Sequence, residues 1–139
     1  MNVASVIPYI TAQIVAKTGL SAAQVHGISP VDVDPSNFPD ILIYRVEDKP
    51  HGDGISDMSG GMDRVVTLGI TVSMVGTDES ETDTLAAQIR AAVLADPTLG
   101  GLVQETNWAD QKWGIGNLST PTVLTNLTFN SLYFYYLER

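Results

Sequence analysis

The chain has no cysteine, and only seven lysines and arginines stand against sixteen aspartates and glutamates. Without cysteine there is no disulfide, no thiol nucleophile and no Cys-ligated zinc. The formal net charge of −9 argues against wrapping nucleic acid, because phosphate contacts draw on Lys and Arg. Such a charge suits solubility, or a passage along which DNA slides without sticking. No run approaches the roughly 18 apolar residues of a membrane span, and Met1–Ser5 lacks the basic start of a signal peptide. The expectation is a chain made and assembled in a cytoplasm, with no membrane partner. Histidine is scarce as well: only His26 and His51 are present. Ser56, in Gly54-Ile55-Ser56-Asp57-Met58, lacks the second glycine of a nucleophile elbow. Neither a Walker pattern nor a dinucleotide fingerprint occurs. No catalytic residue and no cofactor are assigned, and the chain reads as a non-enzyme.

What is present fits one domain across residues 1–139, with 44% hydrophobic residues and enough length to bury a core unaided. Residues 3–18 carry Val3, Ile7, Ile10 and Ile14 on a helical stripe, widened by Val6 and Val15. Ser5 is a candidate cap, Pro8 falls in the first turn and Gly19 is a natural stop. Ser21–Val25 suits either a helical turn or a short strand, and Pro30, Pro35 and Pro39 mark a loop. Ile41–Val46 reads as a strand. Arg64–Gly76 is a cleaner one, with Val66, Leu68, Ile70, Val72 and Met74 on one face. Between them Asp48–Asp63 forms a long hairpin loop, above the usual connection length.

A second helix runs to about Ala95, with Leu85, Ile89, Ala92 and Val93 on its apolar face. Asp78, Glu79, Glu81 and Asp83 precede or open it. They serve either as helix-initiating acids, with Thr77 or Ser80 as cap, or as carboxylates of a DNA-repelling lumen. A strand follows near Val103–Lys112, then a turn at Gly114–Asn117. Thr120–Leu137 closes the chain, with Val123, Leu127, Phe129, Tyr133, Tyr135 and Leu137 on one face. At about 3.3 Å per residue this strand exceeds ordinary lengths, so it must bend, carry a bulge or run past the domain edge. The fold class is α+β: a mixed or antiparallel sheet, two main helices packed on one face, and a long hairpin loop. The expected core is Val6, Ile7, Ile10, Ile14, Ile43, Leu68, Ile70, Val72, Leu85, Ile89, Val93 and Phe129.

No metal site is assigned. His51, Asp53, Asp57 and Asp63 share an acidic loop, but their spacing misses the glycine and terminal glutamate of a calcium loop. Trp108 and Trp113 suit either a core or an interface. Together with Lys49, His51, Asp53, Asp57, Met58 and Met62 they form the candidate interface set.

The wording after the second helix, Asp96-Pro97-Thr98-Leu99-Gly100-Gly101-Leu102-Val103, is followed by about 30 residues and an aromatic C-terminal strand. It resembles the phage tail terminator proteins, the ring-forming group of the lambda-type minor tail protein U. The Pro39–Tyr44 and Leu127–Tyr135 strands match that group in character. Pro30–Pro39 and Lys49–Asp63 depart from it. The resemblance implies a structural virion protein of a phage or prophage tail, assembled in the host cytoplasm. A homo-hexameric ring would cap the tail tube, end its polymerisation and offer the head–tail joining surface. Its partners would be itself, the tail tube protein and a neck or head-completion protein, with DNA crossing the lumen without specific binding. The alternatives are a neck or head-completion connector and, further off, a small acidic binding or enzymatic domain.

Overall fold

The computed structural model describes residues 5–27, 39–50, 61–75, 79–116 and 122–136. In chain order the elements are α1 (Val6–Thr18), β1 (Val25–His26), β2 (Asp40–Pro50), β3 (Gly61–Val75), α2 (Glu79–Leu94), β4 (Glu105–Gly116) and β5 (Thr122–Tyr136). The strands form one five-stranded sheet in the order β1-β2-β3-β5-β4. Only the β1–β2 pair is parallel; the other three pairs are antiparallel. The α+β architecture expected from the sequence is the observed one.

Alternation along β3 decides which face is covered. Val66, Leu68, Ile70 and Val72 are fully buried, and their partners on β5 include Phe129 and Leu127. Val6, Ile10 and Ile14 of α1, and Ala86, Ile89, Ala92 and Val93 of α2, join the same hydrophobic cluster. The other face carries hydrogen-bonded polar pairs: Thr67 donates to Asn130 at 3.0 Å and Thr71 to Asn126 at 2.6 Å. Both helices therefore lie on one face, as a one-sided apolar sheet requires. Gly69 serves the polar face: the Tyr44 ring lies where a Cβ would stand, 2.5 Å from its Cζ.

Several local expectations need correction. Ser5 has helical backbone angles and makes no side-chain capping bond, so it does not cap α1. Gly19 does end that helix, at φ 76° with its N–H on the Val15 carbonyl. The apolar stripes are also rotated slightly from those expected. Ile7 and Leu85 are only partly buried, because Val6–Ile10–Ile14 and Ala86–Ile89–Val93 face the sheet more directly. The hairpin strands are longer than their composition suggests. β2 continues through Asp48, Lys49 and Pro50, and β3 already begins at Gly61. Residues 51–60 lie outside the described segments.

Leu102–Val103 does not start a strand. Val103 N–H returns to the Thr98 carbonyl, and β4 begins only at Glu105, then runs on through Gly114. The length of β5 is accommodated by its neighbours. It pairs without interruption along β3, while register shifts occur in β4 between Trp108 and Asp110 and in β2 between Arg45 and Glu47. Such bulges raise local twist and let long strands coil.

Candidate functional site

The β4 bulge determines where the two tryptophans point. Residues 108 and 113 are an odd number apart, which in a regular strand places them on opposite faces. Ala109 is the extra residue, so Trp108 pairs with Phe129 and Trp113 with Thr125. Those partners are four apart on β5, and both tryptophans consequently share the helix-side face. There α2 holds each of them. The Arg90 guanidinium lies 4.5 Å from the Trp108 ring centroid, and Trp113 Nε1–H donates to Asp83 at 2.8 Å. Asp83 and Arg90 are two helical turns apart, roughly 10 Å, close to the roughly 13 Å between the strand positions of the two tryptophans. Even so, Trp108 is 42% exposed and Trp113 54% exposed. They sit beside α2, over the strand that ends the sheet.

This arrangement changes the reading of the acids. Asp83 lies beyond the first turn of α2 and its carboxylate accepts the Trp113 indole N–H, so it is not the helix cap. Ser80 is inside the helix, its carbonyl accepting the Thr84 hydroxyl at 2.9 Å, and is not the cap. Glu79 opens α2 and Glu81 is exposed. Asp78 and Thr77 lie outside the described residues.

The described members of the candidate interface set do not form one patch. Lys49 is on β2, separated from β4 by β3 and β5. It pairs with Glu47 at 3.2 Å, both side chains being well exposed, a geometry that contributes little. Met62 lies on β3 opposite Tyr135. His51, Asp53, Asp57 and Met58 lie outside the described residues. Among the described members, Trp108 and Trp113 are the two that the fold brings together.

The other side of the sheet, on β2, has its own exposed hydrophobe. Val46, the bulged residue of β2, is 56% exposed. With Ile7, Arg45, Glu47 and Asp48 it lines a shallow groove of about 330 Å³. The same bulge shifts the parity of β2 and brings Asp48 to the face of Arg64 and Tyr133. Arg64 Nε donates to Asp48 at 2.8 Å, and the Tyr133 hydroxyl donates to the other carboxylate oxygen. Burial, followed by the Asp48 bond and charge, pushes the Tyr133 phenol up to about 12. This trio ties the far ends of three strands together, in a stretch whose letters read as loop.

Sequence reasoning also missed a histidine–carboxylate pair. His26 Nε2 lies 2.6 Å from Asp40 Oδ1, and Nδ1 lies 2.7 Å from the Gly27 carbonyl. Both nitrogens face acceptors, which only the doubly protonated ring satisfies. Burial pulls His26 down, but the Asp40 bond, the Gly27 carbonyl and the Asp40 charge outweigh it, and its pKa is raised. A raised histidine pKa stabilises the fold fully below the unfolded value near 6.5, and that contribution is lost as pH rises through the folded value. The wild-type urea midpoint should therefore fall between about pH 6 and about pH 8, and the His26→Gln midpoint should stay flatter. Equal slopes in the two proteins would show that the pair does not titrate in that window.

No family model matches the chain, and no curated protein matches it. Among the described residues no three His, Asp or Glu side chains gather in a way that could hold a metal ion, and no helix is long and apolar enough to cross a membrane. The Asp96–Val103 wording that carries the tail terminator resemblance now has a physical role. Asp96 accepts from the Tyr9 hydroxyl of α1, from Gly100 N–H at 2.9 Å and from the Thr98 hydroxyl at 2.9 Å. These bonds, the Tyr9 one first, hold its carboxyl below the usual range. Leu99, Gly100 and Gly101 follow with φ of 48°, 72° and 86°. Leu99 is fully buried in the core despite its left-handed backbone. The motif locks the α2–β4 connection onto α1.

Proposed function

We propose that this chain is a structural, ring-forming protein that caps a phage tail tube, ends its growth and presents the head-joining surface. The observation that carries the reading is a pair of unlike exposed patches, one on β4 and one on β2. The β4 patch displays two tryptophans pinned by Arg90 and Asp83. The β2 patch displays Val46 over a shallow groove. Closed rings are built from such unlike patches, because a head-to-tail contact joins two different surfaces of one subunit. Exposed aromatics held rigid by polar partners suit a contact that loses little side-chain entropy on forming. The Asp96–Val103 lock adds support at the level of fold, and the net charge of −9 suits a passage that does not retain DNA.

The test is tube growth. Added to polymerising tail tube protein, the chain should arrest elongation and shorten the tubes, with six-fold density at one tube end by electron microscopy. Tubes of unchanged length, with no cap, would overturn the reading. Binding to head vertices in place of tube ends would select the neck-connector alternative.

A further inference from the structure

We propose that copies of this chain join head to tail, the Trp108–Trp113 flank of one subunit seating on the groove beside Val46 of the next. The inference rests on the ring reading and names the surfaces that would build the ring. Among the described residues the exposed large hydrophobics are Val46, Val75, Trp108 and Trp113. Three of these four lie on β2 and β4, at opposite ends of the sheet's three long antiparallel pairings. An isologous dimer needs one self-complementary patch, whereas two unlike patches facing apart fit a heterologous contact.

Strand direction agrees with this. Successive antiparallel pairings make β2 and β4 run in opposite senses. A second copy laid alongside in the same orientation therefore brings its β2 antiparallel to β4, continuing the alternation of the sheet. Among the described residues, β1 pairs with only Ile41 and Leu42 of β2. The bulges at Val46 and Ala109 interrupt any long backbone ladder there. Side chains must then carry the contact, and Val46 and Trp108 stand at those bulges.

Both patches carry charges of both signs. The tryptophan flank bears Asp83 and Arg90, and the groove bears Arg45, Glu47 and Asp48, the last of which is bound by Arg64. Each patch therefore offers both signs to the other, between two subunits of net charge −9.

The absence of cysteine makes a clean cross-linking test possible. Lys49→Cys marks the groove edge and Ala109→Cys marks the β4 bulge; neither removes a residue of the two patches. With a short thiol-to-thiol reagent, the double variant at high concentration should give a ladder of multimers, and each single variant should stay monomeric. Adding Trp108→Ser and Trp113→Ser should abolish the ladder while circular dichroism shows the fold retained. A covalent dimer from Ala109→Cys alone would overturn the proposal in favour of a two-fold contact. A double variant that forms rings by electron microscopy but gives no ladder would overturn it and leave the ring reading standing. A ladder without arrest of tube growth would uphold the contact and sink the tube-capping role. Neither ladder nor rings would overturn both.

Discussion

Gly100→Ala should cost about 3 kcal/mol of folding stability, or on the order of 10 °C in Tm. Two effects add at this position. Its φ of +72° lies in the left-handed region, where a side chain costs about 1–2 kcal/mol. A Cβ there would also stand 2.7 Å from Tyr9 Cε2, and forcing the ring aside costs a further 1–3 kcal/mol or so. The ring is not free to swing, because its hydroxyl is bound to Asp96 and receives Gln13 Nε2 at 2.9 Å. Gly101 is the internal control. It has a similar φ of +86°, yet nothing lies within 4 Å of its would-be Cβ, so Gly101→Ala should lose only the backbone part, about 1–2 kcal/mol. Combining Gly100→Ala with Tyr9→Ala should be less damaging than the sum of the two, since the contact is then gone. Urea titration of the four proteins measures this. Equal losses at Gly100 and Gly101 would show that the lock between α1 and the α2–β4 connection does not bear on stability.

The fold was legible where burial is one-sided and periodic. Alternation from Arg64 to Gly76 and the stripes around Ile10 and Ile89 follow from a single apolar face, and the structure places those residues against one another. The candidate site was legible only by residue type. Trp108 and Trp113 stand out in the sequence, but their common face depends on the extra residue at Ala109, and a one-residue bulge leaves no mark in a hydrophobic pattern. The Val46 bulge hid the continuation of β2 in the same way. Asp48, Lys49 and Pro50 are poor strand formers, and cross-strand bonds from Arg64 and Tyr133, distant in sequence, hold Asp48 in the sheet. His26 and Asp40 could not be matched either, since a parallel pairing of β1 and β2 brings them together and nothing local announces it. For the acids before α2, charge at a helix start was a sound signal, but it could not reveal that Asp83 serves a tryptophan on β4.

Phe129→Ala should be the most damaging single change in the sheet, losing about 3–5 kcal/mol, a large share of the roughly 5–15 kcal/mol that holds a domain folded. Phe129 is fully buried and is the largest such side chain among the described residues. On one side it pairs with Leu68 of β3 and on the other with Trp108 of β4. The cavity left behind would sit beneath α2 with little room to collapse, because β5 is pinned along its whole length by β3. Trp113→Ser should behave oppositely. Trp113 is more than half exposed and its indole N–H bonds exposed Asp83, so stability should change by no more than about 1 kcal/mol. Measured side by side, the first variant should shift the urea midpoint strongly, and the second should leave it near wild type while weakening multimer formation. That division follows from burial alone: a side chain enclosed on every side holds the subunit together, and one held in place but left half uncovered is available to the next subunit. If Trp113→Ser unfolds the chain as severely as Phe129→Ala, the tryptophan flank belongs to the core and the head-to-tail contact loses its anchor.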